Sequence, residues 1–259
     1  MRQDKVDIWS GYNIADTLSA KENESSLEWY TKEAYTRKVM ELLDEHLQPG
    51  ERVLDIGCGV GKWVVYLVQK GIDCVGVDSS EIAIKKAQQT LREYTPRSVI
   101  FKSQATNLPF KRNWFDAIIS FGLLEHFPDH ETVLNYWKEF LKPGGKMILS
   151  VPNGLRWDWM FFDILFKWYK RKALIKMRVS QRGLISTNYG YEERWKPEYF
   201  RQLCLHVGFK RFKLTSFFTL SPLIFYCLGN RTISPQLFSL LSSTKASKRW
   251  GLYLFGVAE

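Results

Sequence analysis

The sequence predicts an α/β fold with a mostly parallel central sheet and helices on both of its faces. Short apolar segments that read as buried strands alternate with amphipathic helical segments such as residues 31–47 and 131–141. With 259 residues, 45% of them hydrophobic, the chain has enough material for a sizeable core. We therefore expect one domain over residues 1–259 with a layered α/β architecture.

The most informative segment of the chain is VLDIGCGVGKW, residues 53–63. Its first four residues belong to a predicted strand, Arg52 to Ile56, which is apolar apart from Arg52 and Asp55. Three glycines follow at alternate positions: Gly57, Gly59 and Gly61. Glycines allow a sharp turn and let the backbone approach a ligand more closely than a Cβ permits. A helix that ends near Gly71 follows, and strand, loop and helix together predict a nucleotide-like ligand.

A second predicted strand, Cys74 to Val77, ends on Asp78. An acid at this place can hold the two hydroxyls of a ribose with its two oxygens. Three interpretations of the glycine loop are open at this point. It is part of a nicotinamide-dinucleotide fingerprint GxGxxG, although Lys62 occupies the place of the last glycine; it is a tight turn without a ligand; or it is a GxGxG loop for another nucleotide-like cofactor.

The GxGxG loop preceded by Asp55 resembles the first motif of the class I S-adenosylmethionine (SAM) dependent methyltransferases. Residues 98–102 read as a third strand, which leads to a loop similar to the family's segment around adenine. A fourth strand, Ala117 to Ser120, runs into a segment that resembles the one beside the reacting methyl group. The LKPGG sequence at 141–145 matches the family's turn before the fifth strand. The resemblance covers residues 50–153, and this ordered set of motifs is more specific than any one of them.

The resemblance implies a Rossmann-like, seven-stranded, mostly parallel sheet whose last strand is antiparallel. It also implies an insertion that covers the substrate. In this interpretation the chain has an N-terminal helical cap (1–50), a SAM-binding core (51–153), an aromatic and basic insertion (154–195) and a C-terminal helix with closing strands (196–259).

SAM is the cofactor that the resemblance implies. The residues it places around SAM are Asp55, Gly57, Cys58, Gly59, Gly61, Asp78, Ser79, Gln104, Ala105, Thr106 and Phe121. At the position of Gln104, relatives usually carry Asp, which accepts a hydrogen bond from the adenine amino group. Gln104 still accepts through its amide oxygen, but without a charge-assisted bond. Phe121 is expected beside the sulfur end.

The sulfonium of SAM makes its methyl group electrophilic, so the main task of the protein is to align an acceptor atom and exclude water. A neutral hydroxyl acceptor must also lose a proton. By resemblance His126 is the candidate base, with Glu125 orienting it or acting in its place. The alternative for His126 is a structural role at the turn before the following helix.

A metal site is an alternative for this region, because several ligand-type residues lie close together in sequence: Glu125, His126, Asp129 and His130. Pro128 argues against one continuous helix that presents them together. Some quinone-forming relatives hold a divalent metal with an acid at the position that Gly122 occupies here. Because glycine has no side chain to bind a metal, we expect no metal.

Positive charge is concentrated in the C-terminal part of the chain. Residues 1–150 carry 19 Lys and Arg against 21 Asp and Glu, whereas residues 151–259 carry 18 against 6. Seven of these basic residues lie within 167–182, after an aromatic-rich segment that begins at Trp157. Three roles are open for 157–182: a lid over the substrate, a peripheral contact with anionic membrane, or a contact with nucleic acid.

The sequence thus predicts a SAM-dependent methyltransferase that modifies oxygen or carbon of an amphipathic or lipid-like small molecule. Candidate substrate contacts are Trp159, Tyr189, Tyr191 and Glu192. The alternatives are an RNA (tRNA) methyltransferase and a non-catalytic SAM-binding or membrane-attached scaffold. Because the four cysteines form no CxxC pair, we expect a cytoplasmic protein, peripheral on the inner membrane surface if it contacts the membrane.

Overall fold

The computed structural model describes residues 27–94, 99–154, 185–187, 190–217 and 253–259. The α-helices of this part are α1 (Leu27–His46), α2 (Lys62–Gln69), α3 (Glu81–Tyr94), α4 (His130–Lys138) and α5 (Pro197–His206). The strands are β1 (Arg52–Ile56), β2 (Asp73–Asp78), β3 (Val99–Lys102), β4 (Phe115–Phe121), β5 (Leu141–Pro152), β6 (Ile185–Thr187), β7 (Gly190–Glu192), β8 (Phe212–Phe217) and β9 (Tyr253–Ala258). A short 3₁₀ helix spans Leu124–His126.

Seven strands form one sheet in the order β3-β2-β1-β4-β5-β9-β8. The strands from β3 to β5 pair in parallel, and β9 is antiparallel to both of its neighbours, β5 and β8. This arrangement confirms the predicted Rossmann-like sheet with an antiparallel last strand. Because β1 lies between β2 and β4, the carboxyl ends of these three strands meet at one edge, where a ligand is expected in such folds.

Helices cover both faces of the sheet, as predicted. Val53 of β1 packs with apolar residues of α1, α2 and α3, whereas Leu54 packs with those of α4 and α5. Successive residues of a strand point to opposite faces, so β1 contributes to both halves of the core. The helix predicted over 31–47 is α1, and the helix predicted from Pro197 is α5.

Two parts of the sheet structure differ from the prediction. No strand was predicted within the insertion assigned to 154–195, but β6 and β7 pair there as a two-stranded antiparallel ribbon. Strands of three residues are too short to show a period of two. Residues 141–145 were predicted to be the turn before the fifth strand, whereas β5 begins at Leu141. The LKPGG sequence continues the pairing with β4 across an irregularity, in which Phe115 and Ala117 face Leu141 and Lys146.

Substitution of Gly61 should destabilise the fold more than substitution of Gly50. Both glycines have left-handed backbone, with φ of 81° and 87°. A Cβ on Gly61 would lie 2.9 Å from Ile100 Cδ1 and 3.3 Å from Ala87 Cβ, whereas one on Gly50 would meet no atom within 4 Å. We expect Gly50→Ala to cost about 1 kcal/mol of unfolding free energy and Gly61→Ala about 1–3 kcal/mol more. Equal losses in urea unfolding would contradict this packing.

Candidate active site

The glycine loop between β1 and α2 is shaped by three residues with positive φ. Gly57, Gly59 and Gly61 have φ of 79°, 54° and 81°. A Cβ on Gly57 would lie 2.9 Å from Leu123 Cδ2, and Gly61 is equally crowded by protein atoms, but a Cβ on Gly59 would meet nothing within 4 Å. All three glycines were predicted to lie around the cofactor. Neighbouring protein atoms leave no room for a Cβ at Gly57 and Gly61, whereas Gly59 leaves open space that a ligand can approach.

The loop is fixed to β2 through two adjacent amides. The N–H groups of Gly57 and Cys58 both donate to the carbonyl of Val77, at 2.8 and 3.0 Å. The Cys58 side chain is 6% exposed and packs against Gly76, and burial raises the pKa of its thiol well above the ordinary value. Its thiol is therefore part of the core, and any contact of Cys58 with a ligand must come from its backbone.

Asp78, at the end of β2, links the loop to its own strand. One carboxylate oxygen accepts a hydrogen bond from Gly59 N at 2.9 Å, and the other accepts from Ser80 N at 2.8 Å. A carboxylate has about four lone-pair sites, so both oxygens can accept further hydrogen bonds from a ligand. The neighbouring Ser79 is exposed at the same edge. The position predicted to hold a ribose is thus oriented by the protein itself.

Asp55 is a buried acid beside this loop. Asp55 is 1% exposed, and its Oδ2 makes no hydrogen bond with the described residues. Burial, and secondarily the charge of Asp78, raises the pKa of Asp55 to about 8. Such a carboxyl group is suited to a cationic ligand group, whose charge would favour the ionised form.

The loop after β3 is held by α4. Two hydrogen bonds fix it: Trp137 Nε1 to Ala105 O at 2.8 Å, and Leu108 N to the Tyr136 hydroxyl at 2.7 Å. Gln104 and Thr106 are exposed on this loop, while Ala105 is half-buried. The segment predicted to surround adenine therefore has an anchored backbone, with Ala105 packed against the core and the side chains of Gln104 and Thr106 exposed.

The segment after β4 holds the predicted catalytic residues. Phe121 ends the strand, with its ring centroid 5.6 Å from that of Trp63. Glu125 is 3% exposed within the 3₁₀ helix, and its carbonyl accepts a hydrogen bond from Glu193 N at 3.0 Å. His126 is the last residue of that helix and is half-buried. These residues follow the carboxyl end of β4, next to the loop of β1.

Tyr35 of α1 lies near this edge of the sheet and was not among the predicted site residues. Its hydroxyl lies 2.8 Å from Ser150 Oγ in β5, and its ring centroid lies 4.8 Å from that of Tyr253. Burial raises the pKa of Tyr35, and the nearby acids Glu125 and Asp55 act in the same direction. Ser150 pairs with Phe121, the last residue of β4, so the hydroxyl lies near the carboxyl end of that strand.

A signal for Tyr35 exists in the sequence. Tyr35, Val39 and Leu43 are spaced by four residues and so lie on one face of a helix. Val39 and Leu43 are buried against the sheet, so this face of α1 turns toward the core. A tyrosine on an apolar helical face needs a partner for its hydroxyl.

The remaining candidates have different outcomes. Trp159 and Tyr189 lie outside the described residues, as do the side chains of Tyr191 and Glu192, whose backbone forms part of β7. In the described part of the chain no group of three or more His, Cys, Asp or Glu side chains is arranged to hold a metal. His130 instead packs in an aromatic cluster, where burial lowers its pKa to about 4.

The pKa of Asp55 predicts a pH-dependent stability for the ligand-free protein. In the unfolded chain the group loses its proton near pH 4, but in the folded protein only near pH 8, so stability falls as the pH rises between these values. Asp55→Asn should remove this loss, and the advantage of the variant over wild type should grow by about 2 kcal/mol or more from pH 5 to pH 8. Urea unfolding at both pH values measures it. Identical pH dependence of Asp55→Asn and wild type would show that Asp55 is already ionised in the fold.

The sheet order, the glycine loop, the acid at the end of β2 and the anchored loop after β3 together define a class I SAM-dependent methyltransferase fold. The site fits SAM: Gly59 leaves open space, Asp78 retains lone pairs for hydroxyls, and the buried Asp55 suits a cationic group. The family described as a methyltransferase domain matches residues 27–209, and the chain belongs to it. SAM is the cofactor of this family.

Two curated relatives are similar to part of the chain. The ubiquinone biosynthesis O-methyltransferase of Stutzerimonas stutzeri is 28% identical over 153 residues, which cover 54% of this chain and 65% of that protein. The demethylmenaquinone methyltransferase of Bacillus cereus is 33% identical over 129 residues, which cover 48% of this chain and 53% of that protein. The chain thus spans between about half and two thirds of the length of the relatives that it matches.

Solved structures share the fold. A SAM-dependent methyltransferase of Thermotoga maritima, described as a possible histamine N-methyltransferase, has a TM-score of 0.57 at 18% identity and covers 95% of this chain and 99% of its own. The 1,6-didemethyltoxoflavin-N1-methyltransferase of Burkholderia thailandensis has a TM-score of 0.56 at 18% identity, with 95% and 85% covered. The latter structure contains S-adenosylhomocysteine. At this level of identity the likeness concerns the fold alone.

Proposed function

We propose that this protein transfers the methyl group of SAM to a lipophilic, quinone-like ring, on oxygen or on carbon. The observation that carries the proposal is the arrangement of three residues at the carboxyl edge of the sheet. Gly59 leaves open space, Asp78 has a carboxylate held by two backbone amides, and Asp55 is a buried acid. The relatives support the acceptor class, because one is named for ubiquinone biosynthesis and the other for demethylmenaquinone.

Aromatic side chains near this edge also favour a ring-shaped acceptor. The rings of Tyr35 and Tyr253 lie 4.8 Å apart, and those of Trp63 and Phe121 lie 5.6 Å apart, both pairs in edge-to-face geometry. Both pairs lie where α1 and α2 meet the carboxyl ends of β4 and β5. Aromatic walls of this kind bind a flat ring through offset or edge contacts.

In this proposal, bound SAM supplies a methyl group made electrophilic by its sulfonium. Asp78 holds the ribose hydroxyls, the loop at Gln104 receives the adenine, and Phe121 excludes water from the reacting side. His126 takes the proton of a hydroxyl acceptor, with Glu125 beside it in the same 3₁₀ helix. Alignment of the acceptor makes the largest contribution, because it lowers the activation barrier by about 7–11 kcal/mol.

A lipophilic acceptor partitions into membranes, so we also propose that residues 157–182 bring the protein to an anionic bilayer. The support is the aromatic and basic composition of that segment. In the part of the chain that the structure describes, no helix is long and apolar enough to cross a membrane. Lys170→Gln, Arg171→Gln and Lys172→Gln together should reduce sedimentation with anionic vesicles at low salt. Wild type that stays in the supernatant would contradict the proposal.

Labelled methyl transfer tests the function. Purified protein is incubated with methyl-labelled SAM and, separately, with demethylmenaquinone, a hydroxylated ubiquinone precursor, histamine or tRNA. We expect label in a quinone-type acceptor, and mass spectrometry of the product distinguishes a C-methyl from an O-methyl group. Label in tRNA would support the RNA alternative, and SAM binding without transfer to any acceptor would support a scaffold.

A further inference from the structure

Two lysines mark the ends of α2, and both reach across to α1. Lys62 is the first residue of α2, and its Nζ lies 2.6 Å from Thr36 Oγ1. Lys70 directly follows α2, and its Nζ contacts the carboxylate of Asp44. Thr36 and Asp44 are eight residues apart, as are the two lysines. The helices therefore run side by side in the same direction, and the two contacts are equivalent.

The equivalence extends to the aromatic neighbours. Lys62 Nζ lies 4.5 Å from the ring centroid of Trp63, and Lys70 Nζ lies 4.7 Å from that of Tyr66. Each ammonium thus has a helix α1 partner and a ring of α2 against it. A face of an aromatic ring attracts a cation but does not neutralise its charge.

The two ends differ in exposure and in counter-charge: Lys62 is half-buried, whereas Lys70 is exposed and has the acid Asp44 beside it. The hydrogen bond that Lys70 donates to the carboxylate of Asp44 raises the pKa of Lys70. Lys62 has a hydroxyl in the corresponding place and forms no ion pair with an acid of the described residues, and burial lowers its pKa to about 8. A largely buried ammonium without a counter-charge is costly to keep.

The end without a counter-charge is the one at the cofactor loop. Lys62 follows Gly61 directly, and Thr36 follows Tyr35, whose hydroxyl binds Ser150 of β5. At the other end of the same loop lies Asp55, whose Oδ2 makes no hydrogen bond with the described residues. The loop is therefore flanked by a cation and an acid that do not pair with each other.

We propose that Lys62 binds the carboxylate of the amino-acid tail of the methyl donor, with Thr36 orienting the ammonium. The tail is a zwitterion, so a cation on one side of the loop and an acid on the other complement it. This inference rests on the proposed SAM site at the glycine loop. It makes Lys62 a binding residue for the donor, and it explains why the protein supplies an acid to Lys70 but not to Lys62.

Calorimetry with two ligands tests the assignment. S-adenosylhomocysteine carries the amino-acid tail, and 5′-methylthioadenosine has the same adenosine and thioether without it. Lys62→Met should weaken S-adenosylhomocysteine binding about tenfold or more and change 5′-methylthioadenosine binding by no more than about twofold. The matched control Lys70→Met, at the other end of α2, should leave both affinities within about twofold.

Stability measurements separate a local effect from unfolding. Because Lys62→Met removes a buried charge without a counter-charge, the ligand-free variant should unfold at the same urea concentration as wild type or at a higher one. Equal loss of affinity for both ligands, or unchanged affinity for S-adenosylhomocysteine in Lys62→Met, would overturn the assignment. Wild type that fails to bind S-adenosylhomocysteine would instead reject the proposed cofactor site as a whole.

Discussion

Replacing Asp78 by alanine should weaken SAM binding by about 100-fold or more. The carboxylate orients the loop through Gly59 N and the strand end through Ser80 N, and in our account it also accepts hydrogen bonds from the ribose. Hydrogen bonds to a charged group contribute about 1.5–3 kcal/mol each. The loss of two such hydrogen bonds to the ligand costs more than the roughly 2.7 kcal/mol that corresponds to a 100-fold change in affinity. Isothermal titration with SAM or S-adenosylhomocysteine measures the effect.

Asp73→Ala is the matched control for Asp78→Ala. Asp73 is the first residue of the same strand, is exposed, and its Oδ2 accepts a hydrogen bond from Arg52 Nε at 2.8 Å. It lies at the amino end of β2, away from the loop, so its loss should leave SAM affinity within about twofold. If both variants bind SAM equally well, Asp78 does not hold the ribose.

His126→Ala should lower kcat by about 100-fold or more with a hydroxyl acceptor, because general base catalysis contributes about 10²- to 10⁴-fold. The acceptor for this assay is the one identified by labelled transfer. Affinity for S-adenosylhomocysteine should stay within about twofold of wild type. This separation of turnover from donor binding distinguishes a base from a residue that shapes the cofactor site.

A second histidine, which lies outside the candidate site, supplies the control for His126. His206 ends α5, is exposed, and its Nε2 lies 3.3 Å from Glu131 Oε1. His206→Ala should leave kcat unchanged. A His126→Ala variant that retains wild-type kcat and the wild-type pH profile with the same acceptor would assign His126 to packing at the turn before α4.

The sheet could be predicted from the sequence because its strands and helices have strong local patterns. β1 was predicted with the bounds that the structure shows, and α5 begins at the predicted Pro197. The ribbon of β6 and β7 could not be predicted, because pairing between Thr187 and Gly190 depends on contacts rather than on a period. The extension of β5 to Leu141 depends likewise on its pairing with β4.

The site was predictable where a motif fixes a residue type, and not where the fold brings distant residues together. Asp78 was predicted at the end of the second strand, but the hydrogen bond from Gly59 N to its carboxylate is a property of the folded loop. The contact of Tyr35 with Ser150 joins residues 115 positions apart. The difference between Lys62 and Lys70 likewise depends on which residue of α1 faces each of them.

The central claim is that the loop at Gly59 and the acid at Asp78 bind the methyl donor. Isothermal titration of the wild-type protein with S-adenosylhomocysteine, and separately with NAD⁺, tests it most directly. We predict saturable heat with one site per chain for S-adenosylhomocysteine and none for NAD⁺. Heat with NAD⁺ from a well-folded sample that gives none with S-adenosylhomocysteine would contradict the claim.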